Sequence, residues 1–201
     1  MLAIVYTSAA DAASLLERFA AGRLTGLDEG NIVQHDETLL LVTGVGKVKA
    51  TLYTERLLQQ FDVNHLLHVG MTTALDDAIE VGTLVAANAV LEGDRISLTA
   101  PSYPQMPLST PDDMPTGRLV THDHAADGDA ENGYWQRLAD MSDTTGYAVA
   151  YVAAQHGVSC HVVKAVTGRL GADPDDFQET LSAARDALAD FVLQTVTTRT
   201  E

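Results

Sequence analysis

The segment from Gly44 to Lys47 is a glycine-containing turn whose residue types could bind a small molecule. The segment Gly44-Val45-Gly46-Lys47 follows an apolar run and opens a helical pattern. Backbone N–H groups at the start of a helix attract anions, and the Lys47 ammonium would add positive charge. A tight turn beside a solvated lysine explains the same residues equally well. The segment is not a Walker loop, because the spacing of that motif is absent. A second turn of this kind, at residues 70–75, ends the next apolar run.

Two histidines flank an aspartate directly after a predicted strand, in the segment His122-Asp123-His124. Asp127 and Asp129 follow, and imidazole together with carboxylate is a ligand set that holds zinc or a similar ion. Three interpretations remain open: a polar surface loop, a pocket role for one histidine, and a metal site. We favour the surface loop and expect no bound metal.

Several polar residues lie where predicted strands and helices meet. Thr144, Thr145 and Tyr147 fall near the start of a predicted helix, where a threonine hydroxyl either caps the helix or contacts a ligand. Lys164 lies within an apolar run, and a buried ammonium needs a partner, so we expect a salt bridge. Arg169, just beyond that run, is either exposed to solvent or directed into a pocket to bind an anion.

Apolar runs and helical patterns alternate along the chain, which predicts a three-layer α/β fold with a mixed central sheet. Residues 1–201 suit a single domain. The segment 99–117 holds five of the six prolines, so we expect a loop there. Strands are predicted over residues 2–6, 31–34, 38–43, 65–69, 82–91, 118–121 and 159–166. Helices are predicted over residues 9–21, 48–60, 143–156 and 175–197, with Leu52, Leu57 and Leu58 facing inward on the second.

Composition and charge exclude several classes of partner. The chain carries 28 acidic and 12 basic residues, a net charge of −16, so we expect neither nucleic acid nor an anionic membrane as a partner. No apolar stretch reaches the roughly 18 residues that a membrane span needs. The single cysteine, Cys160, lies in an apolar run, where we expect a buried strand residue, and it can form no intrachain disulfide. These features predict a cytoplasmic protein.

Five segments carry a resemblance to a known family through their order and spacing. They are Gly44-Val45-Gly46-Lys47, Gly70-Met71-Thr72-Thr73-Ala74-Leu75, Val81-Gly82-Thr83-Leu84-Val85, Asp143-Thr144-Thr145-Gly146-Tyr147-Ala148-Val149-Ala150 and Val163-Lys164-Ala165-Val166-Thr167-Gly168. Together they resemble the nucleoside phosphorylase and nucleosidase superfamily, which includes purine nucleoside phosphorylases, methylthioadenosine/adenosylhomocysteine nucleosidases and futalosine hydrolases. The resemblance implies a nucleoside phosphorylase-like fold, a nucleoside-like ligand bound at the strand ends, and a homo-oligomer, either a dimer or a hexamer.

Three positions depart from what the resemblance implies. Thr145 stands where the family has a glutamate that bonds the ribose hydroxyls, and Gly168 stands where an aspartate protonates the departing base. In the loop after the first strand, Ala12 matches a glutamate that orients the attacking water, and only Asp11 is ionisable there. Loss of a positioned acid costs on the order of 3–5 kcal/mol of activation barrier.

Two hypotheses about function remain open. In the first, the protein is an enzyme of purine metabolism that hydrolyses the N-glycosidic bond of a nucleoside; phosphorolysis is less favoured because the turn at 70–75 and the first loop hold no arginine. In the second, it is a catalytically silent relative that binds a nucleoside-like ligand or serves as a subunit of an assembly. We expect no cofactor. The candidate catalytic residues are Asp11, Thr145 and Gly168. The candidate substrate-binding residues are Gly44, Gly46, Lys47, Gly70, Met71, Thr72, Thr73, His122, His124, Thr144, Tyr147, Thr167 and Arg169.

Overall fold

The computed structural model describes residues 1–19, 26–94, 105–124, 129–170 and 174–200. Within these residues the strands are β1 (Leu2–Tyr6), β2 (Ile32–His35), β3 (Thr38–Val42), β4 (His65–Ala74), β5 (Leu84–Glu92), β6 (Gln105–Pro107), β7 (Thr116–Thr121), β8 (Met141–Asp143) and β9 (Ser159–Arg169). The helices are α1 (Ala13–Arg18), α2 (Lys47–Gln60), α3 (Asp129–Trp135), α4 (Gly146–Gln155) and α5 (Pro174–Thr200).

The strands form one mixed sheet, which confirms the expected fold class. Their order is β2-β3-β1-β4-β8-β7-β5-β6, and β9 pairs with both β4 and β5. Strand β1 is parallel to β3 and β4, β4 is parallel to β9, and β7 is parallel to β5 and β8. The β2–β3, β4–β8, β5–β6 and β5–β9 pairs are antiparallel. Strand β4 therefore lies at the centre, with β1 on one side and β8 and β9 on the other.

Helices cover both faces of the sheet, and the side chains of β1 show why the strands are so apolar. Ala3 and Val5 belong to a core cluster that includes residues of α2 and α4, whereas Leu2, Ile4 and Tyr6 belong to a second cluster with residues of α1 and α5. Successive side chains of a strand point to opposite faces, so a strand covered on both sides is apolar throughout. This arrangement gives the three layers that the sequence predicts.

The strand boundaries differ from the sequence-based ones where polar residues continue a ladder. Strands β4 and β9 extend beyond their apolar runs because they remain paired with each other as far as Ala74 and Arg169. The proline-rich segment 99–117 is not a loop throughout, since it contains β6 and the start of β7; its residues 99–104 lie outside the described part of the chain. Pro107 fits β6 because an edge strand tolerates a missing N–H donor.

Two predicted helices begin later than their sequence patterns indicate. The helix expected from residue 143 begins at Gly146, because residues 141–143 pair with β4 and β7 as β8. The helix expected over residues 9–21 is found as α1 over residues 13–18, and residues 20–25 lie outside the described part of the chain.

Helix α2 buries two of the three leucines that were expected to face inward. Leu57 is fully buried and Leu58 is partly buried, but Leu52 is 52% exposed, so its predicted inward orientation is wrong. The buried stripe of the helix consists of Ala50, Thr54 and Leu57, at i, i+4 and i+7 spacing.

The expected burial of Cys160 is confirmed. Cys160 is buried in β9, and burial raises the pKa of its thiol to about 12, which makes it a poor nucleophile. Gly157 follows α4 with a φ of +68°, the left-handed conformation in which many helices end.

Among the described helices, none is both long and apolar enough to cross a bilayer.

The two leucines of α2 test this packing. Leu57→Ala should lower the free energy of unfolding by about 2–5 kcal/mol, because truncation of a fully buried side chain leaves a cavity. Leu52→Ala is the matched control and should change it by less than about 0.5 kcal/mol. Urea unfolding followed by circular dichroism measures both variants. Equal losses would contradict the described orientation of α2.

Candidate active site

The C-terminal ends of neighbouring strands surround a cleft of about 520 Å³, which is within the size range of small-molecule sites. The loop after β1, the turn after β3, the end of β4 and the segments around β7, β8 and β9 each contribute side chains. Ligands of open α/β sheets bind in the crevice at the carboxyl ends of the strands. The cleft therefore lies where the fold and the glycine turns both lead one to expect a ligand.

Hydroxyl groups and carboxylates dominate the polar lining of the cleft. The hydroxyl groups belong to Thr7, Thr72, Thr73, Ser142, Thr144 and Thr167. The carboxylates belong to Asp11, Asp123 and Asp143, and the imidazoles belong to His122 and His124. Val45, Met71 and Leu170 add apolar surface. Of the residues that the structure describes, no lysine or arginine lines the cleft, so it lacks the cations that usually hold phosphate.

A buried ion pair forms the floor of the cleft. Lys164 Nζ, in β9, lies 2.8 Å from Oδ2 of Asp143, the last residue of β8, and the two side chains are 0% and 3% exposed. A single charge at this depth would be strongly destabilised, so each ion depends on the other. The salt bridge expected for Lys164 is confirmed.

Asp143 also accepts hydrogen bonds that fix the start of α4. Its Oδ1 atom accepts a bond from the Thr121 hydroxyl at 2.7 Å, and its Oδ2 atom accepts one from the Gly146 N–H at 2.9 Å. The Thr121 hydroxyl in turn accepts a bond from the Tyr147 N–H at 2.8 Å. Burial would raise the pKa of Asp143, but Lys164 and the hydrogen bond from Thr121 hold it below its ordinary value. The carboxylate is therefore ionised at neutral pH.

His68, in β4, joins the ion pair as a neutral imidazole. Its Nε2 atom lies 2.8 Å from Lys164 Nζ, and its Nδ1 atom lies 2.9 Å from the backbone oxygen of Val5. An ammonium only donates and a carbonyl only accepts, so Nδ1 carries the proton and Nε2 accepts. Burial, followed by the charge of Lys164, lowers the pKa of His68 to about 3. The buried cluster therefore holds one positive and one negative charge.

Thr145, a candidate catalytic residue, is fully buried in the same cluster and does not line the cleft. Its Oγ1 atom lies 3.0 Å from His68 Nε2 and 2.8 Å from Thr7 Oγ1. Thr7 does line the cleft, so the hydroxyl that a ligand meets there is that of Thr7. Thr145 supports the floor from below.

A second group of charges ties α2 to β5 and β7 at the edge of the cleft. Lys47 Nζ lies 2.7 Å from Oδ2 of Asp94, and the Lys47 backbone N–H donates to Asp123 Oδ1 at 2.7 Å. Asp94 Oδ2 also accepts a bond from the Asp123 N–H at 2.7 Å. Burial alone would raise the pKa of Asp94, but these two donors lower it to about 2. Lys47 is thus bound to carboxylates of the protein itself.

The two histidines after β7 both face Asp94. The Nδ1 atoms of His122 and His124 lie 3.4 and 2.9 Å from Asp94 Oδ1. The hydrogen bond to Glu131 raises the pKa of His124, whereas burial lowers that of His122. His122 is only 4% exposed, so the surface-loop interpretation is wrong for this residue. Asp127 and the side chain of Asp129 lie outside the described part of the chain.

The structure brings half of the candidate residues into the cleft lining. Those that line it are Asp11, Met71, Thr72, Thr73, His122, His124, Thr144 and Thr167. Those that do not are Gly44, Gly46, Lys47, Gly70, Thr145, Tyr147, Gly168 and Arg169. The Arg169 guanidinium donates to the backbone oxygens of Asp77 and Ile79, both at 3.0 Å, and is therefore directed to that loop.

Sequence patterns leave His68, Asp123, Asp143 and Ser142 out of the candidate residues, although they line or support the cleft. Asp123 is indicated by its position between two histidines, and Asp143 is indicated by Lys164, because a buried lysine demands an acidic partner. Which acid that is depends on residues 141–143 forming a strand, and a three-residue strand has no recognisable pattern.

A model of the phosphorylase superfamily matches residues 16–122, just over half of the chain. The chain belongs to this superfamily. A 5'-methylthioadenosine/S-adenosylhomocysteine nucleosidase of Geobacillus sp. is 25% identical over 205 residues, which cover 89% of this chain and 84% of the relative. The corresponding nucleosidase of Staphylococcus epidermidis is 34% identical over 80 residues, only 35% of its own length.

Solved structures show the same fold in this superfamily. The apo structure of the Arabidopsis thaliana 5'-methylthioadenosine nucleosidase superimposes with a TM-score of 0.82 and covers 98% of this chain and 94% of its own. The sequence identity is 21%, so the likeness concerns the fold.

The buried ion pair of this superfamily member can be tested by removing its cation. Lys164→Met should lower the free energy of unfolding by about 3–5 kcal/mol, because it leaves the Asp143 carboxylate buried without a partner. Lys49→Met is the control, since Lys49 pairs with Glu29 at the surface, 2.7 Å away. The control should change the stability little, because solvent screens an exposed ion pair. Urea unfolding at neutral pH measures both; a loss below about 1 kcal/mol for Lys164→Met would contradict the assignment.

The neutral imidazole of His68 predicts a loss of stability in mild acid. The unfolded chain takes up a proton near the ordinary histidine pKa of 6.5, whereas folded His68 stays neutral down to a pKa of about 3. Stability from this group is therefore present at pH 7 and falls as the pH decreases, by about 2 kcal/mol between pH 7 and pH 5. The stability advantage of the wild type over His68→Gln should shrink by that amount. Urea unfolding at both pH values measures it, and an advantage that is constant or larger at pH 5 would contradict the neutral state.

Proposed function

We propose that this protein is a nucleosidase that hydrolyses the N-glycosidic bond of a nucleoside-like substrate. The observation that carries the proposal is the convergence of three carboxylates, those of Asp11, Asp123 and Asp143, on one nucleoside-sized cleft. Membership of the phosphorylase superfamily and the nucleosidase relatives point to the same reaction class.

The charge of the cleft favours hydrolysis over phosphorolysis. Cleavage of a glycosidic bond passes through a cation-like sugar, which nearby carboxylates stabilise. Lys164 neutralises Asp143, but Asp11 and Asp123 still give the lining a negative potential. These carboxylates would repel a phosphate nucleophile. No described lysine or arginine lines the cleft to offset that repulsion. Water is uncharged and meets no such barrier.

Asp11 is the residue best placed to act on the attacking water. It lies in the loop after β1, lines the cleft and is partly exposed, and its backbone N–H is anchored by the Ser8 hydroxyl at 3.2 Å. Ala12, which matches the family's glutamate by position, is fully buried. We therefore assign the general-base role to Asp11. Gly168 supplies no acid for the departing base, so cleavage should be slow by the standard of enzymes that keep one.

The catalytically silent alternative is favoured by one specific observation, the position of Thr145. A glutamate is expected there for sugar binding, but Thr145 is buried and bonded to His68 and Thr7. In this alternative the cleft binds a nucleoside-like ligand without cleaving it.

One substrate panel separates the two functions. The purified protein is incubated with 5'-methylthioadenosine, S-adenosylhomocysteine and futalosine, with and without phosphate, and free base is followed by liquid chromatography. The nucleosidase proposal expects base release from at least one compound at a rate independent of phosphate. Thermal stabilisation by a compound that is never cleaved would establish the silent alternative. The absence of both ligand binding and base release for every compound would contradict both functions.

Asp11→Asn should reduce kcat for the cleaved compound by about 100-fold or more, because it removes the base that activates water. Asp62→Asn is the control, since Asp62 is exposed just before β4, at the opposite end of that strand from the cleft. Steady-state kinetics at neutral pH compare the two. A kcat for Asp11→Asn within threefold of the wild type would rule out the assigned role.

A further inference from the structure

Against the expectation of no bound metal, we propose that Asp94, His122 and His124 bind a single divalent transition-metal ion, with Zn²⁺ as the preferred ion. One ligand atom from each residue lies within 4.8 Å of the other two. The Nδ1 atoms of the two imidazoles converge on Asp94 Oδ1, at 3.4 and 2.9 Å. The ligand atoms of a tetrahedral zinc site are about 3.3 Å apart, because each lies about 2.0–2.1 Å from the ion. The three residues therefore need little movement to accept one.

Two of the three ligands are oriented by further groups. Glu131 Oε1 lies 2.8 Å from His124 Nε2 and accepts its proton, so an ion that displaces the Nδ1 proton meets a lone pair on the side of Asp94. Lys47 Nζ and the Asp123 N–H both bond Oδ2 of Asp94, which leaves Oδ1 facing the imidazoles. Carboxylate–histidine pairs of this kind orient the ligands of zinc sites.

The third ligand, His122, provides an independent observation. Its Nε2 atom is buried and has no hydrogen-bond partner among the described residues, and its Nδ1 atom has only a long 3.4 Å contact with Asp94. The ring is nevertheless firmly placed. It packs so closely on Gly93 that a Cβ atom there would collide with it, and Trp135 packs against it with the ring centroids 4.7 Å apart. Neither ring nitrogen has a close hydrogen-bond partner among the described residues, so a ring with its proton on Nε2 offers the Nδ1 lone pair, which faces Asp94 Oδ1, to an ion.

The local charge also favours a cation. Four carboxylates surround the site, those of Glu92, Asp94, Asp123 and Glu131, and among the described residues Lys47 is the only ammonium within 4 Å of them. Two imidazole nitrogens and one carboxylate oxygen suit zinc or a similar ion, whereas Ca²⁺ and Mg²⁺ prefer oxygen ligands alone.

The ion would lie at the edge of the cleft, because His122 and His124 line the cleft and Asp94 does not. Where the proposed function holds, the ion would be a Lewis acid at a cleft for which Gly168 supplies no general acid. The proposal itself concerns binding, and its test does not depend on that function.

The test measures zinc binding by the full chain without a histidine tag and without substrate. Protein stripped with a chelator is titrated with Zn²⁺ by isothermal calorimetry, and the bound metal is counted by mass spectrometry after dialysis. We expect one ion per chain. His124→Ala and Asp94→Asn should each weaken binding at least 10-fold. His156→Ala should bind like the wild type, because His156 pairs with Glu55, 2.8 Å away, outside the site.

Cobalt provides a second measurement that needs no variant. Co²⁺ added to the stripped wild type should give the visible absorption of a low-coordinate site, and one equivalent of Zn²⁺ should remove it. His124 is half exposed, so His124→Ala is expected to fold and to lose this absorption. Uptake of less than half an ion per chain, or unchanged affinity and absorption in His124→Ala, would overturn the proposal.

Discussion

The ion pair between Asp143 and Lys164 is the constraint on which the rest of the site depends. Both side chains are almost inaccessible to water, so neither charge is tolerable without the other. The pair joins the end of β8 to the middle of β9, and His68 extends it to β4. Hydrogen bonds from Thr121 and Gly146 add β7 and the start of α4. One small cluster therefore fixes the relative positions of four strands and a helix.

This cluster separates the electrostatics of the cleft into a neutral floor and acidic walls. Because the floor contains one cation and one anion, its charges cancel, and the potential that a ligand meets is set by Asp11 and Asp123. Such a cleft suits a substrate that becomes positively charged as it reacts and disfavours a negatively charged nucleophile. Thr145 belongs to the floor and Thr7 to the wall, so Thr145 supports the cleft without lining it.

Much of the fold could be predicted from the sequence because its strands are buried on both faces. The run of β1 and residues 39–42 of β3 are apolar, and the turn at Gly44 marks where β3 ends. The ladder between β4 and β9 could not be bounded in this way, because its final residues pair without being apolar. Leu52 shows the same limit on a helix: several rotations of α2 satisfy its pattern, and packing against the sheet selects one.

The site was less predictable because its geometry depends on contacts between distant segments. The apolar run around Lys164 predicts that its ammonium pairs with an acidic residue, but the sequence does not identify Asp143 as that residue. The cluster of Asp94, His122 and His124 likewise joins the ends of β5 and β7. Asp94 and His122 are 28 residues apart in the sequence. His122 and His124 could be noticed from their spacing, whereas Asp94 becomes their neighbour only when β5 and β7 lie parallel in the sheet.

The most direct test of the buried cluster is nuclear magnetic resonance of the His68 side chain in ¹⁵N-labelled protein. Two-bond ¹H–¹⁵N correlations identify which ring nitrogen carries the proton, and a titration follows its charge between about pH 5 and pH 8. We predict a neutral ring with the proton on Nδ1 throughout this range. A ring that titrates near pH 6.5, or that carries its proton on Nε2, would contradict the arrangement of Asp143, Lys164 and His68 described here.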